Sequence, residues 1–167
     1  MIGYVTIGAN DHARSVAFFD AIFAPLGYAR TFNEGGWAGY GPGGKKEGLE
    51  FYVVTPPNNG KLATYGNGSM LALKAPSRAA VEAFHAAALI NGGTDEGAPG
   101  PRPADATNFY GAYMRDPTGN NIAAQRAALD AVRSAGSFIS APTRRRCRLT
   151  RSAFFSSSCS SPNRGRA

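Results

Sequence analysis

Few side chains in this chain could do chemistry, and their types restrict what that chemistry is. Glu50 is a carboxylate set in an apolar run between Leu49 and Phe51. There it could serve as a general base or as an anchor for a ligand. All seven tyrosines fall within the first 113 residues, together with the single tryptophan, Trp37. Such amphipathic rings suit holding a small polar-aromatic molecule. In strands, alternation decides which of them share a face. It groups Tyr4 with Thr6 and Gly8, Glu50 with Tyr52, Trp37 with Gly39, and Tyr113 with Gly111 and Arg115. Glu50 is thus the candidate catalytic group, and Tyr4, Trp37, Tyr52 and Tyr113 are candidate ligand contacts.

The remaining reactive residues add little. His12 falls in a turn and reads as solvated. His85 follows Phe84 in a helical pattern and reads as a surface residue on the helix flank. No cysteine lies within residues 1–126 and no serine pairs with a cleft histidine, so a nucleophilic triad has no support. Cys147 and Cys159 lie close together near the C-terminus, and in a reducing compartment they stay thiols. The stretch Gly-Ala-Pro-Gly-Pro-Arg-Pro at 97–103 cannot cradle phosphate, because its three prolines remove the amides such a loop needs. It reads as a stiff loop overhanging a cleft, with Arg102 offered as an anion contact.

What must position these residues is a duplicated unit. An apolar run at 2–9 is followed by a helical pattern with Val16, Phe19, Ile22, Phe23 and Leu26 on one face and Gly27 as its stop. A second run at 70–75 is followed by Val81, Phe84, Ala87, Ala88 and Ile90, stopped at Gly92 and Gly93. A shift of about 65 residues superposes Val16 on Val81, Phe19 on Phe84 and Gly27 on Gly92. A period this long marks a repeated supersecondary unit. Strands are expected at 28–33, 37–41 and 48–54 in the first copy, and near 94–97, 108–115 and 120–125 in the second, from their Val, Tyr, Phe and Thr content and Gly/Pro boundaries. Each half therefore reads strand–helix–strand–strand–strand, in modules of about 1–60 and 66–126.

Three segments carry a resemblance: MIGYVTIGANDHARSVAFF at 1–19, SMLALKAPSRAAVEAF at 69–84, and YMRDPTGNNIAA at 113–124. They are similar to the opening strand and helix of each module, and to the Asp-Pro-x-Gly-Asn turn, of the glyoxalase/bleomycin-resistance/dioxygenase superfamily (the vicinal oxygen chelate fold). The resemblance covers residues 1–126. It implies an α+β fold in which two βαβββ modules form a curved mixed sheet around a cleft, with the helices on its outer face. It also implies a homodimer and, in metal-using members, four ligands from inward-facing strand positions. Carried across, those positions are Tyr4, Glu50, Met70 and Ala123. A phenol, a thioether and a methyl group leave Glu50 alone as a hard-cation ligand, so no metal and no other cofactor is expected. Met70 then joins the ligand-binding set. The implied function is small-molecule binding in the cleft without a catalytic metal. The alternative is a glyoxalase-type lyase, isomerase or dioxygenase that is metal-dependent or uses Glu50 as base with a tyrosine as acid.

Charge separates body from tail. Residues 1–126 carry ten Lys and Arg against ten Asp and Glu, whereas residues 127–167 carry eight Arg against Asp130. A neutral body argues against nucleic-acid binding. The Arg/Ser-rich tail at 127–167 is expected to form a short helix to about 135, then to be largely disordered by composition and dispensable. No run approaches the roughly 18–20 apolar residues of a membrane span, and the start does not read as a secretory signal. A cytoplasmic location is the expectation.

Overall fold

The computed structural model describes residues 2–104 and 108–127. In chain order these form β1 (Val5–Gly8), α1 (His12–Phe23), a 3-10 turn (Ala24–Leu26), β2 (Tyr28–Glu34), β3 (Trp37–Pro42) and β4 (Phe51–Val54). Then come β5 (Leu71–Lys74), α2 (Arg78–Ile90), β6 (Thr94–Pro101), β7 (Phe109–Arg115) and β8 (Asn121–Ala127). The expectations for the tail beyond residue 127 lie outside the described residues.

Both helices start on a side-chain cap. Asp11 accepts from the Arg14 amide of α1, and Ser77 accepts from the Ala80 amide of α2. These interactions satisfy amides that the first turn leaves unpaired. The first helical segment ends at Gly27, whose φ of 79° suits a residue without Cβ.

The caps lie 66 apart, as do the starts of β1 and β5. This corrects the 65-residue superposition. Phe18, not Phe19, is the counterpart of Phe84, and all three rings are fully buried. Phe19 corresponds to His85, which therefore occupies a core position. His85 is 8% exposed and its Nε2 lies 2.9 Å from Asp95 Oδ1, so its reading as a surface residue is also corrected. Ile90, expected on the core face, is 84% exposed at the end of α2.

The α+β architecture of two βαβββ modules is as expected, and the helices pack on one side of the strands. The strand order is β1-β4-β3-β2 in the first module and β5-β8-β7-β6 in the second. In each, the first pair is parallel and the others antiparallel. One continuous ladder was expected; instead the hydrogen bonds stop between β1 and β5, leaving two four-stranded mixed sheets.

Packing joins what the ladder does not. Phe18, Phe19, Phe23, Tyr40, Phe51 and Val53 of the first module and Val81, Phe84, Met114 and Ile122 of the second form one buried cluster. Burying each such side chain contributes roughly 1.5–3 kcal/mol. α1 lies against α2, and a Cβ on Gly93 would sit 2.9 Å from the Phe18 ring, so the close approach of the modules requires glycine there.

β6 extends to Pro101 and takes in most of the segment expected to be a loop. It is an edge strand, where proline's missing amide costs no ladder bond, and its register shifts after Asp95 and after Gly97 absorb the irregularity. The Asp-Pro-Thr-Gly-Asn turn ties the modules together. Asp116 Oδ1 accepts from the Thr118 and Asn120 amides at 2.9 and 2.8 Å. Asn120 Nδ2 in turn donates to the Gly8 carbonyl of β1 at 3.3 Å.

Candidate functional site

Core-facing residues on β1 (Val5, Ile7), β3 (Ala38, Tyr40) and β4 (Phe51, Val53) leave the alternate positions on the opposite, concave face. Across the first sheet, register places Thr6, Tyr52 and Gly39 in one row. Tyr52 is the hub of an aromatic cluster. Its ring lies 5.5 Å from Tyr4 and 6.1 Å from Trp37, both edge-on, and 6.2 Å from Phe32. Gly39 makes room for Phe32, because a Cβ there would come 2.3 Å from that ring. Tyr4 is 64% and Trp37 43% exposed, so the cluster presents open ring surface.

The second sheet differs. Its corresponding row is Ala72, Ala123, Tyr113 and Gly97. Tyr113 lies under Arg102, whose Cζ is 5.8 Å from the ring centre and whose Nη atoms donate to the Pro101 and Ala98 carbonyls at 3.0 and 2.9 Å. Arg115 donates to Glu96 at 2.7 Å and to the Gly119 carbonyl at 2.9 Å, and lies over Tyr65. The two concave faces meet at a cavity of about 380 Å³ whose walls include Thr6 and Gly8 from the first sheet and Met70 and Asn121 from the second.

Glu50 does not join the aromatics. It precedes β4, its amide donating to Tyr40 O and its carbonyl accepting from the Val5 amide, and its Oε2 accepts from Tyr28 Oη at 2.5 Å. The Tyr28 ring packs 5.8 Å from Phe23. Burial, followed by the hydrogen bond to Glu50 and its charge, pushes the Tyr28 phenol up to about 12. This pair faces a different cavity, of about 400 Å³, between β1 and β5. Of the six predicted site residues, Tyr4 and Glu50 line that cavity, Met70 lines the other, and Trp37 and Tyr52 share the aromatic cluster with Tyr4. Tyr113 stands on the second sheet. Tyr28 escaped the sequence reading because nothing local links it to Glu50, 22 residues away.

Register also revises the set of positions carried over for a metal. The Ala9 amide donates to Val54 O as the Ala75 amide does to Gln125 O, and Val5 pairs with Phe51 as Leu71 pairs with Ile122. The counterpart of Ala123 is therefore Tyr52, and that of Glu50 is Asn121. The donor set does not fit a divalent cation: phenols at Tyr4 and Tyr52, a thioether at Met70, and a buried methyl group at Ala123. Glu50 accepts from Tyr28 and lines the other cavity. Among the described residues, no three His, Cys, Asp or Glu side chains come together.

On the helix side, Asp95 accepts from His85 and from the Gly97 amide, joining α2 to β6. The His85 hydrogen bond, more than any other contact, holds the Asp95 carboxyl below its usual value.

Fold and site together define a two-module protein of the glyoxalase type. Its structure matches that of a glyoxalase/bleomycin resistance protein from Albidiferax ferrireducens T118 with TM-score 0.66 and 38% identity, over 75% of this chain and 98% of that one. A glyoxalase-related enzyme from Fulvimarina pelagi matches at TM-score 0.57 and 16% identity, over 75% of this chain and 86% of that one. A glyoxalase/bleomycin resistance protein/dioxygenase family enzyme from Burkholderia phytofirmans PsJN matches at 0.54 and 16%, over 75% and 97%. Neither family models nor curated proteins give a match. The chain belongs to the glyoxalase/bleomycin resistance protein family.

Proposed function

We propose that this protein binds a small aromatic molecule against the concave face of its first module, without a metal. The observation that supports this most is the Tyr4–Tyr52–Trp37 cluster, with its exposed rings arranged edge-on around a half-buried hub. Open aromatic surface of this kind is suited to stacking a planar ligand.

A homodimer is part of the same reading. Both sheets end in open edges, at β2 and β6, and pairing would cover them. So is a cytoplasmic location without nucleic-acid or membrane partners. Among the described residues, no helix is long and apolar enough to cross a membrane.

Trp37 is the chain's one tryptophan and reports directly on the cluster. Titrating planar aromatic compounds in the presence of chelator should quench its fluorescence saturably. Compounds that bind only after a divalent metal is added would overturn the reading.

A further inference from the structure

We propose that the cavity between β1 and β5 is a second ligand site, which takes a protonated amine carried on a small apolar body. The cavity exists because these two edge strands, alone among the neighbouring pairs in the described fold, are not joined by a ladder. Residues 2–5 lie along one wall and 71–74 along the other. At about 400 Å³ it falls within the range of small-molecule pockets. Val5, Phe23, Leu26, Phe51, Leu71 and Leu73 make it largely apolar.

Into this setting projects one carboxylate. Tyr28 donates to Glu50 Oε2 and so fixes its orientation, and among the described residues no hydrogen bond is made to Oε1. A carboxylate only accepts, so its complement must donate, and a charged donor forms the stronger bond. Lys74 lines the β5 wall but makes no ion pair with Glu50 among the described residues. Among the described residues, no ion pair is made to the Glu50 carboxylate. The Tyr28 phenol, held protonated well above neutral pH, stays a donor to Glu50.

This cavity shares Tyr4 with the aromatic cluster, but its carboxylate and the tryptophan lie apart. Glu50 precedes Phe51 at one end of β4, whereas Trp37 pairs with Val54 at the other. The two can therefore be read separately, Trp37 by fluorescence and the cavity by the methyl resonances of Leu71 and Leu73.

The test compares three probes of one shape, 2-phenylethylamine, 2-phenylethanol and 3-phenylpropanoate, on the full chain. The amine should shift the Leu71 and Leu73 methyl signals and bind about tenfold or more tighter than the alcohol, with the carboxylate weakest. Glu50→Gln should abolish the preference for amine over alcohol while the far-ultraviolet circular dichroism of the fold is retained. Leu73→Phe, which fills the cavity, should remove binding of both. Equal binding of amine and alcohol, a preference that survives Glu50→Gln, or no binding at millimolar probe would overturn the proposal. Shifts confined to Trp37 would overturn it too, while leaving the aromatic-face reading intact.

Discussion

The row Thr6–Tyr52–Gly39 of the first sheet and the row Ala72–Ala123–Tyr113 of the second occupy matching places in two copies of one fold. Their other faces match in character: Phe51 and Val53 lie under the first row, Ile122 and Ala124 under the second, all buried. Those positions must be apolar, because each fills the shared core beneath the helices. The concave positions are under no such demand, and they have diverged into a ring cluster on one side and an alanine floor flanked by Arg102 and Arg115 on the other. The comparison teaches that duplication supplied the scaffold, and that the functional difference lies in the face the core does not constrain.

The largest expected effects concern whether the two modules are one folding unit. Phe18→Ala and Phe84→Ala remove counterpart rings that are fully buried, and each should cost about 3–5 kcal/mol. Because the buried cluster crosses between modules, both substitutions should lower one and the same transition in a denaturant melt. Separate transitions for the two variants would show that the copies are energetically independent.

Next in size is the contrast between the rows. Tyr52→Ala removes the hub of the cluster and should weaken an aromatic ligand about tenfold, since ring contacts contribute about 0.5–1.5 kcal/mol beyond buried area. Tyr113→Ala, on the other sheet, should change the same Trp37 titration by no more than about twofold. Equal losses would place the ligand across both faces.

Smaller effects come from the titrating groups. Asp95 is held below its ordinary value of 3.8 by His85, so its link stabilises the fold above that value and is lost as pH falls through the lower folded one. Asp95→Asn should therefore narrow its stability difference from the parent as pH drops below about 3.8, as thermal melts across that range would show. Tyr28 has the opposite sign. Its raised value, about 12, contributes stability below 10 that is lost as pH climbs from 10 toward 12. Glu50→Gln should bring the phenol's absorbance titration part of the way back, because burial, the larger cause, remains.

Much of the fold was legible because its signals are local. The caps, the Gly27 stop and the Asp-Pro-Thr-Gly turn each act within a few residues, and alternation correctly set the faces of β1, β3 and β4. What could not be read depends on distant partners. Glu50 turns to Tyr28, a partner 22 residues away that no local pattern could show. The Gly/Pro stretch of β6 looked like a loop because prolines oppose strands in general, whereas an edge position tolerates them. His85 looked like a surface residue until the caps shifted the repeat by one and placed it opposite Phe19. The site called from sequence was one pocket; the structure distributes its residues over an aromatic face, an inter-module cavity and a carboxylate at the seam.

The central claim is that the cleft works through aromatic contact without a metal. It is tested most directly by titrating Ni²⁺ and Zn²⁺ into chelator-stripped protein by calorimetry, beside the variant carrying the register-matched set Tyr4→His, Tyr52→Glu, Met70→His and Ala123→Glu. The account predicts weak, non-stoichiometric binding by the parent, and a gain of orders of magnitude in the variant as nitrogen and oxygen donors replace the phenol, thioether and methyl groups. Tight one-to-one binding by the parent would contradict it.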